Sequence, residues 1–256
     1  MEHTALPTPP PNRFYVVPCM LTICSLFSGF YAIISSFNGH FFAAAVAILV
    51  AAVFDALDGR VARMTHSTST FGMELDSLCD MVAFGVAPAV LVYLWALTPY
   101  GRYGWLAAFC YVAATALRLA RFNSQAATKK SHDFSGLPCP AAAGMIATTV
   151  MFSSAYGFEI TTTIQRIALL SMVCLLSYLM VSTHRYLSFK HMDISKGQRF
   201  QLIVFLIVLF ILLASEPPST LFFTSTCYIL SGPVLAVRRR LRKKRLKPAV
   251  QESSPD

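Results

Sequence analysis

The sequence predicts an all-helical bundle held in a membrane, and three observations carry that prediction. The chain has 256 residues, of which 55% are hydrophobic and only 13% charged. Its mean hydropathy of +0.58 is too high for a soluble domain of this size. The apolar residues gather into runs of the length a bilayer core requires, roughly 17–25 residues. The runs are continuous rather than alternating, and in lipid the backbone must satisfy its own polar groups, which a helix does within one segment.

Eight transmembrane segments are expected, at 16–36, 40–58, 75–97, 103–122, 138–156, 163–183, 200–215 and 218–237. The first is too long for the apolar core of a signal peptide and is followed by no clean small-x-small cleavage site, so it is read as a retained helix. The second ends, and the third begins, in aspartates. The fourth ends in Arg118 and Arg121, and the fifth opens a stretch rich in glycine and alanine, Ala141 to Gly144, that suits close helix packing. The connections are short, the longest being 123–137 and 184–199. Residues 1–15 form a proline-rich tail, 16–237 one membrane domain, and 238–256 a basic tail whose polar end is expected to be disordered.

Charge sets the expected orientation. With the N-terminus in the cytoplasm and eight helices threaded, all but Arg102 and Arg166 of the 21 Lys and Arg residues lie on the cytoplasmic side. This is the positive-inside pattern. It puts both termini in the cytoplasm of a multi-pass protein, a bacterial cell membrane being the expected location. The formal charge of +9 is concentrated in the run from Arg238 to Lys247. After an apolar helix such a run is a topology signal and a contact for anionic lipid, not a nucleic-acid site. The seven cysteines include no CxxC pair, so neither a zinc site nor a disulfide framework is indicated; they are expected to be small buried hydrophobes.

The chemistry is concentrated between residues 55 and 80. Asp55 and Asp58 are three apart, Asp76 and Asp80 four apart, and both spacings place a pair on one helix face. A link of about 16 residues joins the two helices, which are expected to be antiparallel neighbours with the pairs opposed across a cleft. Carboxylates at membrane depth are costly unless they line a polar cavity, pair with cations or bind metal. Four hard oxygen donors converging in this way suit Mg²⁺ or Mn²⁺. Gly59 and Gly72 remove side chains where a ligand must approach the backbone, and Arg63 offers a planar cation for phosphate oxygens. A carboxylate not wholly engaged as a ligand can take a proton from an attacking hydroxyl. Together these residues point to metal-assisted phosphoryl-type transfer at a membrane interface.

The run from Asp55 to Asp80 resembles the signature of the CDP-alcohol phosphatidyltransferases: Asp-x-x-Asp-Gly-x-x-Ala-Arg, eight residues, Gly, three residues, Asp, three residues, Asp. Every fixed position is present. Further stretches are similar to the phosphatidylserine synthase branch: Phe84-Gly85-Val86-Ala87-Pro88, Leu117-Arg118-Leu119-Ala120-Arg121-Phe122-Asn123, and Gly136-Leu137-Pro138-Cys139-Pro140 onward. The likeness covers about residues 16–190.

The resemblance implies that CDP-diacylglycerol binds across two divalent ions, that the hydroxyl of L-serine attacks the lipid-side phosphorus, and that CMP leaves. It implies Asp55 and Asp76 as ligands of both ions, Asp58 as a ligand of the first and Asp80 of the second, Asp80 also being the general base. Gly59, Arg63, Ser69 and Thr22 would contact the CDP-lipid, with Gly72 beside them. A homodimer is implied too. The pattern departs at Cys19 and Ser25, where the family carries asparagine.

A zwitterionic acceptor needs a cation for its carboxylate. Arg118 and Arg121 are the candidates, with Asn123 as a further polar contact; the alternative for either arginine is snorkelling under the positive-inside rule. His66 and His132 are expected to be solvated loop residues. Other acceptors such as glycerol phosphate, inositol phosphate or choline would use the same chemistry. A cation-coupled transporter is a second class, disfavoured because the aspartates lie towards one membrane face rather than at the midplane. A non-catalytic lipid-binding relative is a third, disfavoured by four intact aspartates.

Overall fold

A computed structural model of the chain describes residues 16–65, 69–127, 136–158, 160, 162–182, 207 and 211–251, with backbone alone for 126, 127 and 235–251. The elements among the described residues are all helices: α1 (Val16–Phe37), α2 (Phe41–Met64), α3 (Thr70–Tyr100), α4 (Arg102–Ala127), α5 (Cys139–Ala155), α6 (Thr163–Val181) and α7 (Pro217–Gln251). Five of them, α1 to α4 and α6, are long and apolar enough to cross a membrane; α5 is apolar but shorter. This is the pattern of a multi-pass membrane protein. The first six predicted segments coincide with α1 to α6. Most of 200–215 lies outside the described residues, as do His66, His132 and most of both long connections. The predicted 218–237 is the first part of α7, which continues as helix through the basic run.

Two boundaries move in an informative way. Helix α2 runs to Met64 and α3 starts at Thr70, so the aspartates sit inside the helices rather than at their ends. Hydropathy registers the depth of lipid a segment can tolerate, whereas backbone hydrogen bonding carries the helix on into the polar region beyond.

The inward face of α1 is small and polar rather than large and apolar. Thr22, Ser25, Ser28, Gly29, Ala32, Ser35 and Ser36 are buried, while Phe27, Phe30, Tyr31 and Ile34 are exposed. Among lipid tails, large apolar side chains gain little by turning inward, and small ones let backbones approach. The most extensive helix pair is α1 with α2, tied by the Ser25 hydroxyl, which donates to the Ala51 carbonyl at 3.0 Å. Gly29 shows how close the packing is: a methyl group there would lie 2.6 Å from Ala83 Cα, so no other residue fits without moving α3.

Helix α3 is irregular. It is α-helical over Thr70–Asp80, widens to a π-helix over Met81–Val86, and loosens again over Tyr93–Leu97. Pro88 brings no N–H, and the Phe84 carbonyl four residues earlier accepts instead from the fully buried Tyr111 hydroxyl of α4, at 3.1 Å. The core beneath joins Ala44 and Ile48 of α2, Phe84 and Leu91 of α3, Tyr111, Ile146 of α5 and Val173 of α6.

Two expectations are corrected. Only Cys79 and Cys139 are buried; Cys19 and Cys24 are half-buried, and Cys110, Cys174 and Cys227 are exposed, because lipid-facing positions accept a small apolar side chain as readily as the core does. In the Ala141–Gly144 stretch, Ala142 and Ala143 are buried, but a Cβ on Gly144 would meet nothing within 4 Å, so that glycine is not a point of close approach.

Candidate active site

Chain direction alternates from helix to helix, so the start of α1, the end of α2, the start of α3, the end of α4 and the start of α5 share one end of the bundle. Every residue singled out from the sequence lies there. α2 does not oppose α3 along its first turns. α1 packs against both, and α2 meets α3 mainly through residues 81–92. The space left between the end of α2 and the start of α3 is the predicted cleft.

Carboxylate oxygens of Asp55, Asp76 and Asp80 lie within 4.8 Å of one another, all three side chains being half-buried. Asp55 and Asp80 are close enough for a hydrogen bond between them. Like charges held this closely require a proton or a cation between them, and an all-oxygen donor set suits a hard divalent ion. Asp58 lies outside that 4.8 Å group but remains a charged neighbour of Asp55, Asp76 and Asp80. It is buried, and its Oδ2 lies 2.8 Å from the Thr22 hydroxyl, which is also 3.0 Å from the Pro18 carbonyl. Three of the four expected carboxylates converge within 4.8 Å, and the fourth, tied to α1 through Thr22, adjoins Asp76.

Beside Asp58 and Asp76 opens a cavity of about 320 Å³, lined by Pro18, Cys19 and Thr22 from α1, Gly59, Ala62 and Arg63 from α2, Ser69, Gly72 and Met73 at the start of α3, and Phe122 from α4. All five residues predicted to meet the CDP-lipid (Thr22, Gly59, Arg63, Ser69 and Gly72) line it. Local structure explains their placement. The Ser69 hydroxyl caps α3 by accepting the Gly72 N–H at 2.9 Å, which brings a helix N-terminus, favourable to phosphate, to the cavity. Arg63 Nε donates to the Gly59 carbonyl one turn back at 2.8 Å, leaving the rest of the guanidinium exposed. A Cβ on Gly59 would meet no atom within 4 Å, since the space beside it belongs to the cavity.

The matching family profile is that of the CDP-alcohol phosphatidyltransferases, and it spans residues 15–173. The chain belongs to the CDP-alcohol phosphatidyltransferase family. It is 37% identical over 202 residues to a CDP-diacylglycerol–serine O-phosphatidyltransferase of Helicobacter pylori, covering 79% of this chain and 84% of that one. It is 37% identical over 174 residues to the Bacillus subtilis protein of the same description, covering 68% and 91%. An archaetidylserine synthase of Methanothermobacter thermautotrophicus is 38% identical over 138 residues, covering 53% and 58%. The aspartates and glycines of the family signature are carried in this member by α2 and the start of α3.

The three residues predicted for the acceptor are not equivalent. Arg121 is exposed. Asn123 is engaged with Ser77 of α3, its Nδ2 donating to Ser77 Oγ at 3.0 Å and its Oδ1 lying 3.2 Å from that hydroxyl. Arg118 is half-buried, and its Nη1 donates to the Cys139 thiol at 3.3 Å. Cys139 is thus more than a small buried hydrophobe, since its sulfur accepts from a cation. The signal that distinguishes it is the Gly-Leu-Pro-Cys-Pro sequence. Gly136 takes φ +92°, and a Cβ on it would lie 2.5 Å from the Met180 carbonyl. Leu137 N–H donates to the Leu179 carbonyl at 3.0 Å. The entry to α5 is thereby pinned to the end of α6, and Cys139 is delivered to Arg118.

Proposed function

We propose that the protein transfers the phosphatidyl group of CDP-diacylglycerol to L-serine, giving phosphatidylserine and CMP. The observation that carries this reading is a carboxylate cluster fitted to divalent ions beside a cavity lined by every residue expected to hold the CDP-lipid, in a chain whose relatives are serine O-phosphatidyltransferases. Asp55, Asp76 and Asp80, with Asp58 beside them, would hold two Mg²⁺ or Mn²⁺ ions. When bound, these ions would neutralise the diphosphate and favour departure of CMP.

The chain's own residues do the rest. The first turn of α3, capped by Ser69, and the free guanidinium donors of Arg63 bind diphosphate oxygens. Gly59 and Gly72 leave room for the nucleotide against the helix backbone. Thr22 fixes the orientation of Asp58. Asp80 accepts the proton of the serine hydroxyl as its oxygen bonds to the lipid-side phosphorus and the bond from that phosphorus to CMP breaks. Arg118, Arg121 and Asn123 are the candidates to receive the amino acid. The bundle of about eight membrane-crossing helices, both termini in the cytoplasm, opens this notch to the cytoplasm and sideways to lipid, so the diacyl chains stay in the bilayer. The family resemblance adds a homodimer.

The test is CMP release by purified protein in detergent, with CDP-diacylglycerol and Mn²⁺ or Mg²⁺, with and without L-serine. Serine-dependent release that is lost in Asp80→Asn supports the reading. Release with glycerol phosphate or another alcohol instead keeps the chemistry and overturns the acceptor. No release with any acceptor overturns both and favours an ion site of a transporter.

A further inference from the structure

Helix α3 carries Asp76 and Asp80 on its regular first part, and the widened turn Met81–Val86 begins at the very next residue. A π-type turn closes from residue i to i+5 instead of i+4, and so takes up about one extra residue. Each residue of an α-helix turns the chain by about 100°. The widened turn therefore offsets the two aspartates by roughly 100° against everything α3 carries beyond it. Side chains end about 5–6 Å from a helix axis, so closing the turn to an α turn would swing a carboxylate by roughly 8 Å. The carboxylates of Asp55, Asp76 and Asp80 converge within 4.8 Å. Asp76 and Asp80 meet Asp55 only while the turn stays wide.

Three consecutive residues of that turn are held from outside. Ala83 packs against Gly29 of α1, where a methyl would come within 2.6 Å of Ala83 Cα. Gly85 lies against α4, and a Cβ there would be 3.2 Å from Thr115 Cγ2. Between them the Phe84 carbonyl accepts from the fully buried Tyr111 hydroxyl at 3.1 Å. The two glycine contacts are steric and set the spacing between helices. The hydrogen bond is directional and sets how the turn is wound. Pro88 explains why it is needed. It has no N–H to give the Phe84 carbonyl, and in an α turn its ring would crowd that carbonyl. The proline opens the turn, and the tyrosine fixes its width.

We infer that Tyr111 is a positioning residue for the aspartate site: by holding the Phe84 carbonyl one turn beyond Asp80, it sets the rotation of Asp76 and Asp80 and so their convergence with Asp55. This rests on the reading of the aspartates as a divalent-ion site and deepens it. Tyr111 does not line the nucleotide cavity. It acts through the backbone of α3, and without its hydroxyl nothing directional keeps the turn at its width.

The experiment measures Mn²⁺ binding by purified protein in detergent, from the loss of the free-ion EPR signal, together with thermal inactivation. The proteins compared are wild type, Tyr111→Phe, and Tyr111→Phe combined with Pro88→Ala. Tyr111→Phe should raise the Kd for Mn²⁺ about ten- to a hundredfold, the range for groups that orient metal ligands, and should inactivate faster. At saturating Mn²⁺ its KM values stay those of the wild type. Pro88→Ala returns an N–H to the Phe84 carbonyl within an ordinary α turn. The double variant should therefore regain stability while its Mn²⁺ affinity stays low, because the α turn leaves the aspartates rotated. An unchanged Mn²⁺ affinity in Tyr111→Phe, or an affinity that recovers together with stability in the double variant, overturns the inference. If Tyr111→Phe does not survive purification, the double variant decides alone: weak Mn²⁺ binding supports the inference and wild-type binding overturns it. A wild type that binds no Mn²⁺ overturns the ion-site reading itself, and the inference with it.

Discussion

Replacing Gly59 with alanine should separate the fold from the function with opposite signs. Gly59 lies inside α2, five residues before its end at Met64. In a helix interior alanine is favoured over glycine by about 0.8–1 kcal/mol. The added methyl meets no atom of the protein within 4 Å, so no packing cost offsets that gain. Gly59 lines the cavity of about 320 Å³ that the CDP moiety is proposed to occupy, so the methyl would take space from the ligand. One extra carbon in a fitted pocket changes discrimination by about 1–3 kcal/mol, which is roughly ten- to 200-fold. Gly59→Ala should therefore resist thermal inactivation at least as well as wild type while its kcat/KM for CDP-diacylglycerol falls by at least tenfold. CMP release across a donor titration, at saturating serine, measures the second; residual activity after heating in the same detergent measures the first. An unchanged kcat/KM would show that the donor does not approach α2 at Gly59. A less stable variant would refute the placement of Gly59 beside open space.

Four other outcomes follow from the same geometry. Asp80→Asn should lower CMP release by about 10²–10⁴-fold, the range for loss of a general base, and a smaller loss would assign the proton to another group. Chelation with EDTA should abolish release, and Mg²⁺ or Mn²⁺ added back should restore it; activity that survives chelation would contradict the role given to Asp55, Asp76 and Asp80. Tyr111→Phe should destabilise the protein by about 1–3 kcal/mol by stranding the Phe84 carbonyl, seen as faster inactivation with the KM values of the surviving enzyme unchanged. Ser69→Ala should cost about 1 kcal/mol of cap energy at the start of α3 and raise the KM for CDP-diacylglycerol; a stability loss without a KM change would make Ser69 a cap alone.

Much of the site could be read from spacing because its parts lie on helices. Asp55 with Asp58, and Asp76 with Asp80, share helix faces by the 3.6-residue period, and the glycines and Arg63 fall within a turn or two of them. Thr22 was harder to place from physics, since its partner Asp58 is 36 residues away and on another helix. Arg118 showed only its charge in the sequence. Its buried Nε and its thiol partner depend on how α5 enters the bundle, and a pinned turn at Gly136 sets that. Tyr111 was not singled out at all, although Pro88 carried a hint, because a proline inside a helix leaves a carbonyl that something must satisfy.

By itself the sequence determined the helical class, the membrane setting, the first six helices and the run of aspartates that marks the family, because hydropathy and helical periodicity are local properties that act within some twenty residues. The tertiary structure decided which carboxylates converge most closely, which one is tied to α1, where the cavity beside them opens and which of two arginines is enclosed. Those outcomes depend on distances between helices far apart in the chain. Here they are set by close contacts, such as Gly29 against Ala83 and Gly136 against Met180, whose partners no local pattern could name.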